Sequence, residues 1–136
     1  MHTPASRAFA LRTASVTYPA TIERIRAVRV DLCGLLGDCP MADDVILCAS
    51  ELAANAAVHS RSRLAGGIFT VRTTISPDNY VWVEVEDSGG PWAPAIGDAT
   101  RRHGLDIVRA LATDWGIDGD HTTRTIWARF DWSAAR

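Results

Sequence analysis

The 136-residue chain predicts an α+β two-layer sandwich, a largely antiparallel mixed sheet covered on one face by about three helices. Three observations predict it. Two β-branched and aromatic runs, "IFTVRTTIS" and "YVWVEVEDS", flank the turn "PDN" and read as a hairpin. Between Pro19 and Ser60, apolar residues recur at three- and four-residue steps, the period of helices. The chain closes with a short amphipathic helix and a second strand pair, so strands and helices segregate rather than alternate.

Taken in order, "RAFALRTAS" alternates loosely and reads as an opening strand. Pro19 to Leu36 reads as a helix with Ile22, Ile25, Val28, Arg29 and Leu32 on one side, stopped at Gly37. A second helix follows, with Asp38 as its cap, Pro40 in its first turn and Asp43 and Asp44 at the positive end of its dipole. It runs to about Ser60, with Val45, Ala49, Leu52 and Ala56 as its core seam. After the hairpin, "GGPWAPAIGDATRRH" has the glycine and proline of a loop, and loops of that length are uncommon unless functional. A helix from Gly104 to Thr113 and the strands "DWGID" and "RTIWARFDW", around the turn "GDHTT", complete the chain. No internal repeat or linker interrupts it, so residues 1–136 read as one domain.

Composition narrows the function classes. All 14 basic residues are arginine, and the formal charge is −2, which gives no electrostatic case for direct nucleic-acid or anionic-membrane binding. No apolar run approaches the ~20 residues of a membrane helix, and the first residues lack the apolar centre of a signal peptide, so a cytoplasmic location is expected. Cys33, Cys39 and Cys48 show no C-x-x-C spacing and read as buried free thiols.

Three features carry chemistry. In "SELAANAAVHS", Glu51, Asn55 and His59 stand four residues apart and form a stripe on the flank of an apolar helix. A partly wet helix edge has the same pattern. In "VWVEVEDSGGP", Asp87 ends a strand beside Gly89 and Gly90, where a carboxylate can accept hydrogen bonds from a flat ligand lying close to the backbone; a local turn reads the same way. In "RRHGLDIVRALA", Arg101, Arg102 and His103 precede a helix starting at or just before Gly104, an arrangement suited to phosphate or simply a solvated basic turn. No G-x-x-x-x-G-K-[ST] occurs, which excludes a Walker-type site.

Together and in this order, the three features resemble the GHKL ATPase family, and within it the short anti-sigma-factor serine kinases. "ELAANAAVHS" resembles the N box, "VEVEDSGGP" the first glycine box, "RHGLDIVRALATDWG" the second, and "TTRTIWARF" the closing strand with its threonine near the adenine. The resemblance spans residues 8–131. It implies a Bergerat ATP-binding fold with ATP and Mg²⁺ as cofactors. Asn55 would ligate Mg²⁺, a hard cation suited to oxygen donors. Asp87 would accept from the adenine amino group, helped by Thr125, with Gly89 and Gly90 admitting the base. Arg102, His103, Gly104 and Leu105 would stand at the phosphates, His59 would line the phosphate side or brace the helix end, and residues 88–103 would form an ATP lid. Glu51 would be the catalytic base towards a protein hydroxyl, a role worth about 10²–10⁴-fold.

By the same resemblance the protein would use Mg-ATP to phosphorylate a serine or threonine of an anti-anti-sigma-like partner, would bind a sigma factor, and would form a homodimer by analogy. Two positions depart from the family pattern. Pro91 takes the fifth place of the first glycine box, removing a donor and stiffening the lid, and Arg102 stands where a glycine is common. They motivate the alternative of a nucleotide-gated binding module without phosphotransfer.

Overall fold

The structure, a computed structural model, describes residues 11–60, 62, 64–89, 99–120 and 122–135; the side chains of residues 59, 99–104 and 134–135 fall outside that description. The elements are β1 (Arg12–Pro19), α1 (Glu23–Leu36), α2 (Ala42–His59), β2 (Ile68–Ser76), β3 (Tyr80–Asp87), α3 (Ala99–Leu111), β4 (Asp114–Gly119) and β5 (Arg124–Asp131), with a closing 3₁₀ turn, Trp132–Ala135. The expected α+β sandwich is borne out: the three helices pack as one layer against a five-stranded sheet ordered β1-β2-β3-β5-β4. The expectation of a mixed sheet is corrected, because all four pairings are antiparallel. The crossover through α3 carries the chain to the far edge, so β5 returns between β4 and β3 and runs opposite to both.

Two-residue alternation sets the sheet's faces. In β3, Val81, Val83 and Val85 are buried with Asp87, while Trp82, Glu84 and Glu86 lie on the other face. In β5, Ile126, Ala128 and Phe130 are buried with Arg124. Against this face α2 lays Val45, Ala49, Leu52 and Ala56, the seam its periodicity predicts, all fully buried. The outer face stacks Trp82 on Trp127, centroids 4.5 Å apart, and sets Arg72 between Glu84 and Glu86 at 3.0 and 2.8 Å.

Element boundaries differ from the expectations for local reasons. The opening strand runs to Pro19, not Ser15, because it pairs with β2 from Arg12 opposite Ile75 to Pro19 opposite Ile68. Helix α1 consequently starts at Glu23, and Ile22 is 66% exposed rather than part of the core. Gly37 does end α1, at φ 57°. Asp38 does not cap α2: Met41 holds that position without a side-chain bond, and the chain reaches it through successive turns whose Cys39 and Met41 are buried. Cys39 and Cys48 are buried free thiols as expected, whereas Cys33 is exposed. Among the described residues no helix is long and apolar enough to cross a membrane.

Candidate functional site

Antiparallel pairing brings the sequence features to one end of the sandwich. The last residue of β3, Asp87, lies opposite the first of β5, Arg124. The link from α2 into β2 arrives at the same end, and serine hydroxyls fasten it. Ser60 Oγ donates back to the Ala56 carbonyl at 2.7 Å and accepts from Ser62 N at 2.9 Å. Ser62 Oγ in turn accepts from Ser88 N at 2.9 Å and lies 3.1 Å from Ser88 Oγ. The end of the polar-striped helix is thus tied to the residue after Asp87.

Asp87 is a buried carboxylate with both oxygens engaged. Oδ1 accepts from Gly89 N at 2.7 Å, and Oδ2 pairs with the Arg124 guanidinium at 2.7 Å. The Asp87 and Arg124 side chains are only 2% and 5% exposed. Gly89 takes φ 67°, a left-handed conformation that L side chains rarely adopt, which lets the chain fold back onto the carboxylate. A cavity of ≈ 100 Å³ opens beside this turn, lined by Phe69, Glu86, Asp87, Ser88, Thr122 and Thr123. A larger hollow of ≈ 490 Å³ follows α1 at Ile22, Ile25, Arg26 and Arg29 and includes none of the expected site residues. The smaller one matters more here, because it borders the buried acid.

On α2, Asn55 is 5% exposed, and among the described residues no hydrogen bond engages its carboxamide. A carboxamide on a buried residue, with no hydrogen bond among the described residues, has an oxygen that suits a hard cation or a bound polar group. Glu51, one turn earlier, is half-buried. Its neighbour Ser50 is held by Arg29, whose Nε donates to Ser50 Oγ at 3.0 Å, so α1 braces α2 beside the carboxylate. Glu51 and Asp44 also act on Cys48. Burial first, then these two negative charges, push its thiol up from 9.0 to about 12.

Comparison with protein-family models and with curated proteins returned no match. Among the solved structures that share the architecture are the following two. The RsbU and RsbW domains of Rv1364c from Mycobacterium tuberculosis superpose with a TM-score of 0.69 at 22% identity, over 88% of this chain and 32% of that one. The histidine kinase domain of the Erythrobacter litoralis EL346 blue-light activated histidine kinase superposes with a TM-score of 0.56 at 19% identity, over 86% of this chain and 63% of that one. This is the GHKL-type fold. The chain spans about a third of the first neighbour's length and under two thirds of the second's.

Within the GHKL-type fold, the structure brings the Asn55 helix end and Asp87 to one end of the helix–sheet interface. It does not bring Thr125 to Asp87. Thr125 pairs with Glu86 on the outer face, because a shift of one residue along a strand reverses the side chain. The residue beside Asp87 is Arg124, which sequence reasoning missed; counting two-residue steps back from buried Phe130 would have found it. Leu105 is a buried member of the core. Helix α3 begins at Ala99, five residues before Gly104, so the unpaired backbone N–H groups belong to residues 99–102 and Gly104 lies inside the helix. A mid-helix glycine costs about 1 kcal/mol, and burial of Leu105 and Val108 against the core offsets it. Helical residues 99–103 also shorten the expected lid. Gly90, Pro91 and the side chains of His59, Arg102 and His103 lie outside the described residues.

Proposed function

We propose that the chain is an ATP-binding regulatory protein of the anti-sigma-factor kinase type, using Mg-ATP to phosphorylate a serine or threonine of an anti-anti-sigma-like partner and binding a sigma factor. One observation carries the reading: a buried strand-end carboxylate beside a left-handed glycine is fastened, through Ser88 and Ser62, to the end of the helix that bears Glu51 and Asn55. The residues fit the cofactor in kind. Asn55 offers Mg²⁺ an amide oxygen that no hydrogen bond engages among the described residues, Asp87 an acceptor to an adenine amino group, and Gly89 a backbone that a base can approach. The likeness to a structure containing an RsbW domain alongside an RsbU domain supports partner proteins of this type.

Mg-ATP supplies the phosphoryl group and its charge neutralisation. The chain's own part is positioning and proton transfer. Glu51 would accept the proton of the incoming protein hydroxyl as its oxygen attacks the γ-phosphorus and ADP leaves. Asn55, one helical turn on and with its Cβ ~5–6 Å from that of Glu51, would hold the metal. The alternative, a nucleotide-gated binding module without phosphotransfer, is motivated by the departures at Pro91 and Arg102.

Glu51→Gln tests the assignment. It keeps shape and hydrogen bonding but removes the base, so transfer to the partner should fall at least a hundredfold while Mg-ATP affinity by calorimetry stays within a few-fold. Undiminished transfer, or lost ATP binding, overturns the role of Glu51. ATP binding by the wild type with no phosphoserine or phosphothreonine formed selects the module.

A further inference from the structure

The Arg124–Asp87 pair stands where the proposed nucleotide reading needs an open acceptor. An adenine presents its exocyclic amino group as a donor, and Asp87 would have to receive it. Yet Gly89 N already donates to one oxygen and the Arg124 guanidinium to the other, each at 2.7 Å. A charge-assisted bond in a site this buried is roughly twice as strong as a neutral one. A neutral amino group does not displace it without loss, and a cation next to that amino group is electrostatically unfavourable.

We propose that Arg124 is an internal competitor for the base site: it occupies Asp87 in the nucleotide-free protein, and an adenine nucleotide engages Asp87 only when Arg124 moves off Oδ2. This rests on the reading of Asp87 as the base acceptor. The fold permits the exchange. Arg124 is the first residue of β5 and follows Thr122 and Thr123, both exposed, so a displaced guanidinium has solvent within reach. The apparent dissociation constant is then the intrinsic one divided by the fraction of molecules with Arg124 displaced. Arg124 thereby sets the ATP concentration at which the protein responds.

The test compares Mg-ATP binding by calorimetry for the wild type, Arg124→Thr and Arg124→Lys, with Asp87→Asn as the control. Threonine keeps a hydroxyl for Asp87 but removes the cation, so affinity should rise about tenfold or more. Lysine retains the cation and should stay near the wild type. Because Arg124→Thr leaves a buried carboxylate without its counter-charge, a wild-type readout stands beside it. The ¹⁵N Nε–H resonance of Arg124 should shift on saturation with Mg-ATP. An Arg124→Thr protein that is folded yet binds ATP no more tightly, or an Arg124 resonance unmoved in the ATP-bound wild type, overturns the competitor while Asp87→Asn still reports the base site. Absence of ATP binding in the wild type and in a folded Arg124→Thr alike overturns the ATP reading itself, and the competitor with it.

Discussion

The Asp87–Arg124 pair and the Cys48 thiol show what burial does to a single ionisable group. A buried ion pair contributes little net stability over an apolar substitute, but loss of one partner strands the other charge at a cost of about 3–5 kcal/mol. This is why Arg124→Thr is read beside the charge-retaining Arg124→Lys. Cys48 is fully buried on α2, with Asp44 and Glu51 adding negative charge nearby. The folded thiol therefore keeps its proton until about pH 12, while an unfolded thiol ionises near 9.0. Between these values the unfolded state holds fewer protons than the folded state, so stability falls as pH rises. The expected slope from this group approaches about 1.4 kcal/mol per pH unit. Urea unfolding between pH 9 and 11 should show a steeper fall in the wild type than in Cys48→Ala; equal slopes in the two proteins would refute the burial argument. In the folded protein at pH 8, exposed Cys33 should react with a thiol reagent while Cys48 stays protected.

At the scale of elements, the sheet's two faces do different work. The inner face joins the helices to the core and places Asp87 and Arg124 at its end. The outer face is held by side-chain pairing, above all the Trp82–Trp127 stack across β3 and β5. That stack extends onto β4, where Gly116 lies opposite Trp127. A Cβ at Gly116 would sit 2.7 Å from Trp127 Cζ2, and the indole is already pressed against Trp82 on its other side. Gly116→Ala should therefore force the indole off its stack or open the β4–β5 pairing, at about 1–3 kcal/mol. The thermal midpoint should drop by several degrees, with loss of near-ultraviolet dichroism from the coupled indoles. An unchanged midpoint and spectrum would show that Trp127 yields freely.

For the molecule as a whole, patterns with strong local causes were legible and those set by distant partners were not. The hairpin from Ile68 to Asp87 is visible because its strands are β-branched and its turn is "PDN", where Asp78 takes φ 63°. The α2 seam is visible because four apolar residues repeat on one side of an 18-residue helix. The limits of β1 follow from where β2 ends, a contact that no local pattern encodes. The start of α3 was misplaced because a glycine resembles a helix boundary until Leu105 and Val108 are known to be buried around it. In the candidate site the acids and amide stood out as polar residues among apolar ones, but the face of Thr125 and Arg124 depends on strand phase, where an error of one residue exchanges them. These parts meet in one testable property. If Asn55, Asp87 and Gly89 form one nucleotide site across the helix and sheet layers, ligation must stabilise both layers together, since the site exists only when they are docked. At a hundredfold excess over its dissociation constant, Mg-ATP should add about 2.7 kcal/mol to unfolding. For a domain of this size that raises the melting midpoint by roughly 10 °C. Differential scanning fluorimetry over a series of Mg-ATP concentrations should show a progressive rise that Asp87→Asn and Asn55→Ala each diminish. A midpoint unmoved at millimolar Mg-ATP would mean that this end of the sandwich holds no adenine nucleotide.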